Sequence, residues 1–115
     1  MSKIKLERIG SQIQREVSTI LHGEARSAVL KSVTLTACQV SADLSVAKIY
    51  YTFLGDYEKE AVAEELRKAS SFLRSQLADR IQIRHTPELR FQFDESIEYG
   101  SNIERILSKL EKEEN

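Results

Sequence analysis

The apolar residues Ile9, Ile13, Val17, Ile20 and Leu21 recur at spacings of three and four, which places them on one side of a helix. The spacing predicts an amphipathic helix from about Lys3 to His22, closed by Gly23. From Ser32 the period changes to two. Val33, Leu35 and Ala37 alternate with Thr34, Thr36 and Cys38, a pattern rich in β-branched residues that predicts a strand. Residues 41–45, Ser-Ala-Asp-Leu-Ser, have the composition of a turn. Beyond them Ala47, Ile49, Tyr51 and Phe53 alternate with Val46, Lys48, Tyr50 and Thr52, so the two strands predict an antiparallel hairpin.

Gly55-Asp56 punctuates the chain, with Asp56 expected to N-cap a helix whose first turn carries Glu58 and Glu60 against the helix dipole. Val62, Leu66, Ala69, Leu73 and Leu77 form its apolar stripe, continued by Phe72 and Ile81. Thr86-Pro87 forbids helix continuation, because proline has no N–H and pushes its predecessor toward extended geometry. A third strand follows, with Leu89, Phe91 and Phe93 on one side and Arg90 and Gln92 on the other. Ile103, Ile106, Leu107 and Leu110 mark a C-terminal helix, started either at Ser101, which has capping-box spacing to Glu104, or earlier at Ser96, and an acidic end at about 111–115 is expected to fray. The order α-β-β-α-(break)-α-β-α predicts one α+β domain over residues 1–115, a three-stranded sheet covered by helices.

Length and composition agree with that single core. Chains of 115 residues rarely divide, and 41% hydrophobic residues supply a core without disulfides or metal. Cys38 is the only cysteine and the first ten residues lack a long apolar run, so a cytosolic protein without a membrane span is expected. The net charge of -1 conceals an alternation. Residues 1–31 hold six basic and three acidic side chains, residues 32–66 two and six, residues 67–90 six and two, and residues 91–115 three and seven. A fold that joins the first and third stretches would have a cationic side fit for a polyanion.

Candidate chemistry is sparse. His22 and His85 lack zinc-site spacing, Cys38 sits on a strand with no cation in sequence to activate it, and both Glu64-Glu65 and Asp94-Glu95 suit solvated surfaces. With four glycines there is no phosphate-cradling loop, so neither enzyme nor cofactor is expected. What stands out is Ser70-Ser71, because serine hydroxyls compete for backbone groups inside helices. Two readings follow. Either one helix ends there and the next opens with an N-terminus that attracts phosphate, or the serines face solvent in an unbroken helix. Arg67, Lys68 and Arg74 surround the position, and Arg80, Arg84, His85 and Arg90 extend the positive surface. Lys3, Lys5, Arg8 and Arg15 form a second basic patch, diluted by Glu7 and Glu16. Among the aromatics Tyr50, Tyr51, Phe53, Phe91 and Phe93, alternation assigns most to the core and leaves Tyr50 as the candidate for exposure.

The segments "RIGSQIQREVSTIL" at 8–21, "VSADLSVAKIYYTFLG" at 40–55 and "LRKASSFLRSQLADRIQIRHTPELRFQFDES" at 66–96, followed by "IEYGSNI", occur in the order found in ribosome-binding factor A, a bacterial small-subunit assembly factor. The chain resembles that family over nearly its whole length. The resemblance implies a type II KH-like fold in which the usual Gly-x-x-Gly loop is replaced by an interhelical Ala-x-Gly kink. The matching positions are Ala69, Ser70 and Ser71, and Ser71 departs from the family glycine. The resemblance also implies binding, as a monomer, to free 30S subunits or their precursors near the 5′ end of 16S rRNA. It further implies assistance in late 16S processing with special demand in the cold, assembly GTPases among the partners, and no catalysis. A protein adaptor with the same fold, working through strand edges or the C-terminal helix, is the alternative from another class.

Overall fold

The computed structural model describes residues 2–23 and 27–96. Its elements are α1 (Lys3–Gly23), α2 (Ala28–Lys31), β1 (Val33–Val40), β2 (Val46–Phe53), α3 (Lys59–Arg80) and β3 (Glu88–Phe93). The sheet order is β1-β2-β3, with β1 antiparallel and β3 parallel to β2. This is the α+β arrangement expected from the pattern, and it is consistent with the KH-like fold that the resemblance implies. The described residues end in helical geometry at Glu95 and Ser96, where the C-terminal helix could start, and the rest of that expected helix lies outside them.

Strand alternation and helix periodicity converge on one core. Ala47, Ile49, Tyr51 and Leu89 turn inward from the sheet and meet Ile13, Val17 and Ile20 of α1 and Val62, Leu66, Leu73 and Leu77 of α3. Both long helices thus cover the same side of the sheet. Their directions follow from their contacts. Gln14 donates to the Leu35 carbonyl at 3.2 Å and the His22 Nε2–H to the Val33 carbonyl at 2.7 Å, so α1 runs antiparallel to β1. Where α1 crosses β1 there is space only for glycine, since a Cβ on Gly10 would sit 2.8 Å from the Cys38 carbonyl oxygen.

A bulge between Leu35 and Ala37 reverses the alternation of β1. Before it Val33 and Leu35 point inward; after it Cys38 and Val40 do, so Ala37 belongs to the outer side rather than the predicted inner one. Thr36, the extra residue, donates its hydroxyl to Asp94 Oδ2 at 2.6 Å, while Asp94 Oδ1 accepts from the Ser96 N–H and hydroxyl. Burial pushes the Cys38 thiol up to about 11. Alkylation of Cys38 near pH 8 is therefore expected to be far slower in the folded protein than in urea, as timed labelling with mass spectrometry would show. Equal rates would contradict its place in the core.

The structure adds to or departs from the sequence pattern at four further points. The helix after β2 begins at Lys59 behind Glu58, whose side chain makes no capping bond, and not at Asp56. The cause is Gly55, which turns the chain at φ 104° against the Tyr57 ring and delays the helix. Phe72 does not extend the apolar stripe; it is 44% exposed, turned about 100° from Leu73. The short α2, capped by the Ser27 hydroxyl, was not foreseen. Finally, α3 passes through Ala69, Ser70 and Ser71 without ending, so no second helix opens at the serines. Ser70 turns its hydroxyl back to the Arg67 carbonyl at 2.8 Å and Ser71 takes ordinary helical geometry facing solvent, the second of the two readings.

Candidate nucleic-acid interface

The helix directions decide where charge collects. Arg74 of α3 reaches the Thr86 carbonyl, while Ala63, Arg67 and Ser70 lie beside Leu89–Phe91, so α3 runs antiparallel to β3. The first part of α1, with Lys3, Lys5 and Arg8, therefore shares one end of the molecule with Arg74, Arg80, Arg84 and His85. At the other end are Asp56, Glu58, Glu60 and Glu95. Among the described residues the basic and acidic stretches thus separate toward opposite ends, the condition under which a polyanion would be drawn to one side.

Within the cationic region the foreseen residues do not form one patch. Arg67, Ser70 and Arg90 line a groove between α3 and the edge strand β3, floored by Leu89 and Phe91. Ser71 and Arg74 line the adjoining groove with Ser75 and Thr86. Lys68, Arg84 and His85 are exposed and make no hydrogen bond or salt bridge with other described residues. Arg80 lies on the opposite flank of α3, where it pairs with Glu16 of α1 at 3.4 Å.

The arginines also differ in how far they are free to move. Arg67 forks onto Glu64 through Nε at 2.9 Å and Nη2 at 2.6 Å. The hydrogen bond from Arg67 holds the Glu64 carboxyl below the usual carboxylate range. Arg90 meets Glu88 at 3.3 Å. Both pairs are solvent-exposed, where an ion pair contributes little, so a phosphate can displace the carboxylate at small cost. Arg74 is different. Its Nε and Nη2 both donate to the Thr86 carbonyl, at 3.1 and 2.8 Å, tying the 81–87 connection onto α3. It and Arg80 serve packing as well as charge, a duty no sequence spacing signals.

On α1, Arg8 and Arg15 share the outer surface with Ile4, Ser11 and Gln12, while Lys3 and Lys5 stand exposed at its start. The described residues contain no group of His, Cys, Asp or Glu that would hold a metal, and no helix long and apolar enough to cross a membrane.

The family model of ribosome-binding factor A matches residues 5–107. The chain belongs to the ribosome-binding factor A family. It is 40% identical to ribosome-binding factor A of Staphylococcus carnosus, the match covering 99% of this chain and all of that protein. It superposes on the crystal structure of ribosome-binding factor A from Thermus thermophilus with a TM-score of 0.67 at 26% identity, over 80% of this chain and 96% of that one. A homology model of the Thermus protein, fitted into an electron cryomicroscopy map of its complex with 30S, also matches. There the TM-score is 0.63 and the identity 26%, covering 75% of this chain and 91% of that one.

Against the family pattern, Ser71 in place of glycine now has a physical reading. Glycine in a helix interior costs about 0.5–1 kcal/mol relative to alanine, and serine penalises the interior less. Here α3 runs through Ser71 without ending, where the resemblance implies an interhelical kink.

Proposed function

We infer that this protein binds the 30S ribosomal subunit or its precursors through rRNA and assists maturation of the subunit without catalysing a reaction. The observation that carries the reading is family membership over residues 5–107, joined to the 30S complex in which the Thermus relative was placed. The charge distribution supports it independently. The cationic end and the α3–β3 groove offer N–H groups that can donate to phosphate. Contact near the 5′ end of 16S rRNA, action late in processing, cytoplasmic residence, a monomeric state and release by assembly GTPases belong to the same proposal. So does the division of labour in which phosphates supply affinity and the shape of folded rRNA supplies selectivity.

Co-sedimentation with purified 30S, 50S and 70S particles over a salt series tests it. Selective binding to 30S that weakens steeply with salt is expected. Absence from every particle at low salt would leave the fold intact and remove the function.

A further inference from the structure

We propose that the open side of the sheet is a stacking surface for single-stranded RNA, built around Tyr50 with Lys48 and Arg90. The surface exists because α1 and α3 both pack on the other side, and no described helix covers this one. Strand register then sets its chemistry. Gln39, Lys48 and Arg90 stand in one row across the three strands, and Ala37, Tyr50 and Gln92 in the next. The bulge at Thr36 is what brings Ala37, the smallest of the β1 side chains, beside Tyr50 and keeps space over the ring.

The composition of this surface favours RNA over other occupants. Lys48 and Arg90 are neighbours on adjacent strands, and the one strand carboxylate beside them, Glu88, is already paired with Arg90. The Lys48 ammonium lies 5.4 Å from the centroid of the Tyr50 ring, so a base stacking on the ring would displace it toward the phosphate of the same nucleotide. Gln92 stands opposite Tyr50 and Gln39 opposite Lys48 in the next row, both with amides able to donate to and accept from base edges. A protein interface would call for a larger apolar centre than Ala37, Val46 and one partly buried tyrosine provide.

Arg90 gives the surface its connection. It stands on the edge strand, bordering both the open side and the α3–β3 groove, so one RNA strand can bend around β3 and occupy both. The proposal rests on the RNA-binding reading above and adds a second contact surface to it, specific for unpaired nucleotides.

The test uses the full chain, labelled with ¹⁵N, and an oligouridylate of about eight nucleotides, the length one small binding surface occupies. Amide shifts at Gln39, Lys48, Tyr50 and Gln92 are expected, with duplex RNA of equal length leaving them unmoved. Tyr50→Leu should weaken oligonucleotide binding by roughly tenfold, within the range for one stacked base, while Tyr50→Phe retains it. Lys48→Gln should reduce the salt slope by about 0.7, one single-strand phosphate. Shifts confined to Arg67–Arg74, equal affinity of the leucine and phenylalanine variants, or a dimer in which the sheet is occluded would each overturn the proposal. Co-sedimentation of the wild type with 30S, run in parallel, reads the ribosomal function separately. Oligonucleotide shifts without 30S binding would uphold the stacking surface and refute that function; 30S binding without shifts would do the reverse.

Discussion

Leu73→Ala is expected to lower the unfolding free energy by about 2–5 kcal/mol, the range for removing a fully buried leucine from a core that cannot collapse around the cavity. Leu73 is wholly inaccessible in mid-helix, within the core cluster that also contains Leu66, Leu77, Ile13 and Ile49. A domain of this size has about 5–15 kcal/mol in all, so the loss would be a large fraction of it. At roughly 4 °C per kcal/mol for a chain of this size the melting temperature should fall by about 8–20 °C. Urea titration followed by circular dichroism measures this directly, with the neighbouring Phe72→Ala as comparison. Phe72 is largely outside the core, and its removal should cost well under half as much. Equal costs at 72 and 73 would mean that α3 is rotated about its axis from the orientation described.

That contrast also marks the limits of what the sequence reveals. Period-two alternation placed β2 and β3 correctly, and period 3.6 gave α1 to within a residue, because in each case a single side of the element is buried. The bulge was illegible because Thr36 and Ala37 are both small and fit either side of a sheet. The serine pair left two readings open because local propensity is weak; the Ser70 bond to Arg67 and the packing of Leu66, Ala69, Leu73 and Leu77 in one stripe decide for continuity. The cationic residues were legible as a charge run, and their division was not. Arg74 is bound to a carbonyl 12 residues away and Arg80 to a carboxylate 64 residues away, separations that only the fold closes. Lys48 escaped attention as a binding residue although the alternation had already set it beside Tyr50, on the side where Arg90 also points.

The double substitution Arg67→Gln, Arg90→Gln should weaken 30S binding by about tenfold per arginine at moderate salt and reduce the salt slope by about two in total, one for each phosphate no longer neutralised. Stability should hardly change, because the partners Glu64 and Glu88 are exposed and rehydrate when the arginines leave. Arg74→Gln and Arg80→Gln should behave differently. The first frees the Thr86 carbonyl and loosens the 81–87 connection; the second removes a link from α3 to Glu16 at a site where both side chains are only about a quarter exposed. Both should lower the melting temperature as well as affinity. Binding and melting curves for the four substitutions therefore separate the arginines that touch phosphate from those that hold the scaffold. If the Arg67, Arg90 variant kept its full salt slope, the groove between α3 and β3 would not face RNA. The cationic surface would then have to be sought at Lys3, Lys5, Arg8 and Arg15 on α1, whose outer side also carries the exposed Ile4.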